Sequence, residues 1–183
     1  MNVKAMIKAC FRIFFMFGGS IMLPSSAKSL TLYGLTNCKD NSYTEPVAVY
    51  GALEAKKCKF KKLEVFGNSE LADCVASEVS VNGNITIINS RVLADTNVFG
   101  YLESKNTSFG KISATTNSIT LDGSSAETVY VSKSADDREQ VLYLQNNANV
   151  KVSITFESGK GKIIADRTVH LPQDIKGATV VHQ

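Results

Sequence analysis

The chain has 183 residues, with 20 Lys and Arg against 17 Asp and Glu. Lys4, Lys8 and Arg12 precede residue 28 and every acidic residue follows it, so residues 28–183 hold 20 − 3 = 17 basic against 17 acidic side chains and carry no net charge. A neutral chain is a poor match for nucleic acid, where binding rests on neutralising phosphates, and the remaining 183 − 27 = 156 residues suit one domain, not two.

In chain order, residues 1–27 read as a signal peptide. The three basic residues form a positive n-region, and Ile13 to Leu23 form a short apolar run. Pro24 breaks that run, and Ser25-Ser26-Ala27 places small side chains at a cleavage site before Lys28. A membrane anchor is the rival reading, but the run is well short of the roughly 20 apolar residues that cross a bilayer. Cys10 lies inside the apolar segment, so no lipoprotein-type cysteine follows it. The expected destination is the periplasm, the outer envelope or the extracellular space, with no transmembrane segment in the mature chain.

From residue 30 an internal repeat dominates, and such repeats decide a fold before any local pattern does. Blocks of the form VxVxG begin at Leu30, Val47, Leu63, Val79 and Thr96, spaced by 17, 16, 16 and 17 residues. Each ends on a glycine: Gly34, Gly51, Gly67, Gly83 and Gly100. A degenerate copy at Ile112 replaces its glycine with Thr116. Two further alternating pairs follow each glycine, for example Leu53 and Ala55 and then Cys58 and Phe60. Period-two alternation is the strand signature. Three short strands per 16–17 residues predict the three sides of a triangular, single-stranded parallel β-helix, whose coils stack because none can bury its own apolar face. An antiparallel sandwich would explain the strands but not the strict phase. The repeating glycines are expected at the corners.

Regular coils are expected over residues 30–128, with irregular coils and a cap over 129–183. Ser132 to Gln140 reads as a loop extruded from a corner. The whole of residues 28–183 then forms one all-β solenoid.

Cys58 and Cys74 fall at equivalent places in consecutive coils, with Ser90, Thr107 and Ser124 continuing the column. A Cys58–Cys74 disulfide fits the spacing of stacked strands, and two reduced small fillers fit it equally. Cys38 is then the odd thiol. The fourth repeat position reads Tyr33, Tyr50, Phe66, Asn82 and Phe99 and should face outward, giving a stripe of rings. That stripe either offers a binding surface or packs on itself along the corner glycines.

Catalysis has little to work with. His170 and His182 are the only histidines, no CxxC or His pair suggests a metal, and no nucleophile motif occurs. Asp136, Asp137 and Asp166 read as solvated loop carboxylates. The run from Lys56 to Lys62 reads as a solvated basic face in preference to a polyanion site. A cofactor is not expected.

The short coils built on Val47-Ala-Val-Tyr-Gly51 and Leu63-Glu-Val-Phe-Gly67 resemble those of the bactofilins, polymer-forming bacterial cytoskeletal β-helices, over roughly residues 30–128. The resemblance implies a right-handed triangular helix that associates end to end and holds no cofactor. Bactofilins work in the cytoplasm, whereas this chain reads as exported. Two functions follow as expectations: a structural or assembly component of the cell envelope, with a protein partner or self-association, or a module that recognises glycans or a host protein through the ring stripe.

Overall fold

The computed structural model describes residues 29–135 and 138–183, and the signal-peptide segment expected at 1–27 lies outside the described residues. Within them the chain is all β, a parallel β-solenoid of about nine turns. Every strand pairing is parallel.

Each turn repeats one plan. In the second, the strand Val47–Lys56 supplies two sides, with a bend at Gly51, and the strand Lys59–Phe66 begins with the third. Val47, Val49, Leu53, Ala55, Cys58 and Phe60 point inward and are buried. Their neighbours Ala48, Tyr50, Glu54, Lys56 and Lys59 alternate outward. Stacking then places like on like: Val47 lies beside Leu63, Leu63 beside Val79, and Val79 beside Thr96. Leu71, Ile85, Ile87, Leu102, Ile119, Leu121, Leu142 and Leu144 continue the interior with essentially no exposure. Each such side chain contributes about 1.5–3 kcal/mol through burial. On the third side large and small residues share a column, Phe60, Ala76, Val92, Phe109 and Ala126, so each ring fits beside a smaller neighbour.

Two corners are chemically distinct. At the first, Gly51, Gly67, Gly83 and Gly100 adopt φ of 138–143° and stand in a row. A Cβ on Gly67 would lie 1.9 Å from the Gly51 carbonyl oxygen, and one on Gly83 would lie 2.1 Å from that of Gly67. Only glycine lets one corner seat on the last. At the second corner the chain turns through a left-handed residue: Asp40, Lys57, Asp73, Asn89, Asn106 and Gly123, with φ between 48° and 56°. Asn, Asp and Gly enter that region most readily, yet the sequence reading assigned no corner to this column.

The 17-residue spacings arise where single residues are inserted at corners. Between Val92 and Thr96 three residues replace the two that separate Ala76 from Val79, and the register shifts there. The degenerate sixth copy replaces Gly100-Tyr101 with Thr116-Asn117-Ser118, where the Thr116 hydroxyl accepts from the Ser118 amide at 3.1 Å. The predicted loop after Val131 leaves from this same glycine corner and returns at the buried Gln140. The Gln140 Nε2 donates to the Thr116 and Ser132 carbonyls at 2.9 and 2.7 Å, sealing the break.

Beyond residue 128, where irregular coils and a cap are expected, coils continue. The strands Asn149–Phe156, Gly161–Ala165, Asp174–Lys176 and Ala178–His182 stay parallel to their predecessors. No described residue covers the far edge of the last of these coils.

The glycine row yields a direct expectation. Gly67→Ala forces both a left-handed alanine and a backbone collision, so it should cost at least about 2 kcal/mol in denaturant unfolding. Gly34→Ala, where a Cβ would meet nothing within 4 Å, should cost measurably less.

Candidate functional site

The outward fourth position forms the expected column, with Tyr33 beside Tyr50, Tyr50 beside Phe66, Phe66 beside Asn82, and Asn82 beside Phe99. The coil spacing of ~4.8 Å is close to that of stacked rings, and part of the stripe packs on itself. Tyr33 and Tyr50 stack with centroids 5.5 Å apart, and Tyr50 and Phe66 stack at 4.7 Å and 4°. Tyr50 therefore has a ring on each of its faces. Tyr33 remains 76% exposed and Phe99, beyond the Asn82 gap, 62%.

Between Phe66 and Phe99 lies a shallow groove of about 440 Å³. Asn82 and Thr115 continue the ring column across it, and Glu64, Ser80, Asn97 and Ser113 form the neighbouring outward column. The surface is an edge of aromatic carbon beside amides and hydroxyls, with one carboxylate.

The cysteine corner differs from expectation. The disulfide joins Cys38 to Cys58, and Cys74 is the buried free thiol. The reason is the direction of the side chains in this column. Each reaches back toward the preceding coil and accepts a hydrogen bond from the amide stacked above it. The Cys58 amide donates to Cys74 Sγ at 3.3 Å, the Cys74 amide to Ser90 Oγ at 2.9 Å, the Ser90 amide to Thr107 Oγ1 at 3.3 Å, and the Thr107 amide to Ser124 Oγ at 3.1 Å. Each group also donates to the carbonyl two residues before it, as Ser90 does to Ile88 at 2.7 Å. Cys74 is thus directed at the backbone of Cys58, while the Cys58 sulfur turns to the first coil and meets inward-facing Cys38. Burial pushes the Cys74 thiol pKa up, and nearby Asp73 adds to the rise against the opposing effect of its hydrogen bonds with the Cys58 amide and the Ala72 carbonyl.

The other chemically interesting residues stay apart. Asp166 caps a turn: its carboxylate accepts from the Thr168 hydroxyl, from the Asn146 amide at 2.6 Å and from the Thr168 amide at 2.8 Å, and these contacts hold its pKa below the usual carboxylate range. His170 pairs by one bridge with Asn149, and His182 is exposed beside the end of the chain. Asp136 and Asp137 lie outside the described residues. In the basic run, Lys56, Lys57, Lys59 and Lys61 are exposed and Lys62 pairs with Glu64 at 2.8 Å. Among the described residues no group of three His, Cys, Asp or Glu could hold a metal, and no helix is long and apolar enough to cross a membrane.

The hydroxyl column generates a test. Ser90→Ala leaves the buried Cys74 amide without its acceptor, which should cost about 1–3 kcal/mol in unfolding free energy, whereas Ser90→Thr, matching the residue one coil further on, should cost less. Comparison of the chain with family models, with curated proteins and with solved structures finds no match in any of the three.

Proposed function

We propose that this protein is a non-catalytic, exported β-solenoid that serves as a structural or assembly component of the bacterial cell envelope, joining further copies or a partner protein through its terminal coils. The observation that carries the reading is a contrast between identical positions. Leu30 is 36% exposed in the first coil, while its stacked equivalents Val47 and Leu63 are at 2% and 0%. At the other end Val180 is 38% exposed, while Ile163 above it is at 0%. Among the described residues, inward-facing apolar positions are therefore open in the first and last coils.

The backbone makes the same point. Among the described residues the strand Leu30–Lys39 pairs along one edge only, with Val47–Lys56, and Ala178–His182 pairs only with Gly161–Ala165. Unpaired strand edges are templates for adding another strand, and soluble proteins usually block them with charge, bulges or covering segments. Here each end offers a strand edge and an exposed apolar residue of an inward column, Leu30 at one and Val180 at the other. Export rests on the basic n-region, apolar run and small-residue cleavage site in residues 1–27.

A second reading, recognition of a glycan through the ring stripe, is favoured by the groove between Phe66 and Phe99. Tyr50 offers a sugar no free face, so Phe99 would have to carry the stacking.

Light scattering of the purified chain lacking residues 1–27 should show a mass rising with concentration above that of a single chain. Leu30→Lys combined with Val180→Lys places cations on both ends at exposed positions; it should hold the mass at one chain and shift stability by no more than about 0.5 kcal/mol. A single-chain mass at every concentration, unchanged by the variant, together with an empty envelope pull-down, would overturn the reading. Saturable binding to a glycan array that Phe99→Ser removes, without loss of stability, would replace it with the second.

A further inference from the structure

We infer that Cys38, Cys58 and Cys74 form a thiol–disulfide exchange site in which Cys74 displaces Cys38 from Cys58, moving the covalent link from the first and second coils to the second and third. Three observations carry this. The three cysteines occupy three successive coils, because Cys38 is in register with Ala55 and Cys58 stacks directly over Cys74. The bonded pair is Cys38 and Cys58, with a third cysteine free. The Cys74 sulfur reaches back to the coil of Cys58, 3.3 Å from the Cys58 amide nitrogen and 3.5 Å from the Ala55 carbonyl oxygen.

Directly stacked residues sit about one strand spacing apart, ~4.8 Å, which falls within the Cα separation a disulfide tolerates. Cα separation therefore permits both pairings at Cys58, the second once Cys74 Sγ leaves the Cys58 amide and the Ala72 carbonyl, and each excludes the other. The exchange balances without an oxidant or reductant. The Cys74 thiolate attacks Cys58 Sγ, the Cys38–Cys58 bond breaks, and its electron pair leaves on Cys38 Sγ, which takes up the proton that Cys74 gave away.

The resting state is set by the surroundings. Cys38, Cys58 and Cys74 are 5%, 0% and 2% exposed, so external thiols reach none of them easily. Cys74 donates to the Ala72 carbonyl at 3.2 Å, and burial keeps it protonated. Thiolate is the attacking form, so the exchange waits on a local opening of the corner. Its product is a thiol at Cys38, in the coil with an open edge. After the same local opening the Cys38 thiolate can attack a disulfide on a partner protein, forming a mixed disulfide while the partner's second sulfur leaves as a thiol, an outcome that does not require the chain to join ends with its own copies.

Peptide mapping by mass spectrometry after acid quench and alkylation tests this. Cys38→Ser, refolded in air, should form the Cys58–Cys74 disulfide. In the unmodified protein, incubation at mildly alkaline pH with iodoacetamide should alkylate Cys38 progressively as the Cys58–Cys74 peptide pair accumulates. Cys74→Ser, which copies Ser90 in the same column, should keep the Cys38–Cys58 bond and reduce Cys38 alkylation at least tenfold. If Cys38→Ser retains the solenoid by circular dichroism yet leaves Cys58 and Cys74 both alkylatable, the inference is overturned. It is also overturned if Cys74→Ser leaves Cys38 alkylation unchanged. Should Cys38→Ser fail to fold, the comparison between the unmodified protein and Cys74→Ser decides alone.

Discussion

Everything in this molecule depends on the in-register stacking of peptide groups from successive coils. The amide of Lys57 donates to Ala72, that of Asp73 to Ile88, that of Asn89 to Lys105, and that of Asn106 to Asp122. Each bond joins residues 15 or 16 apart, and each fixes which side chains lie above which. Once that register holds, period-two alternation fills the interior with aliphatic residues and leaves polar ones outside. A slip of one residue would turn Leu63, Val65, Leu71 and their equivalents out to solvent. The glycine row and the hydroxyl column guard against the slip from two corners. At the first only glycine allows the close approach, and at the second only a small acceptor meets the buried amide.

The same constraint explains the two features with functional reach. Rings at equivalent positions must fall about one coil spacing apart, so Tyr33, Tyr50 and Phe66 stack as a consequence of the fold and not as a separately built site. Where Asn82 interrupts the column, a groove opens. Stacking also has no natural stopping point. Each coil presents the next with a like edge, and Leu30 and Val180, in the first and last described coils, are left exposed. A solenoid with such edges suits the proposed role, a component that is added to an assembly, better than one that works alone.

Much of this was legible from the sequence because a repeat is its own alignment. Five glycines in phase place every residue between 30 and 128 on a side and a face, and the pairings of Leu30 with Val47 and of Gly83 with Gly100 follow those phases. The outward aromatic column was legible for the same reason. The second corner was missed because its residues, Asp40, Lys57, Asp73, Asn89 and Asn106, share a backbone angle and not a side chain. Their only signal was position, one residue before the Cys, Ser and Thr column. The disulfide was missed because stacking gives the distance between two positions and not the direction of their side chains. In this column each points backward, which sends Cys74 to an amide and Cys58 to Cys38. Past residue 128 the inserted loop breaks the phase, and only Gln140, reaching across to two carbonyls, shows how the coils resume.

The most direct test of the stacked register is an NMR measurement of scalar couplings transmitted through hydrogen bonds in the isotopically labelled protein. The solenoid predicts that the amide nitrogen of Lys57 couples to the carbonyl carbon of Ala72, Asp73 to Ile88, and Asn89 to Lys105. Couplings from these amides to carbonyls on a hairpin partner, running antiparallel across a nearby turn, would contradict it.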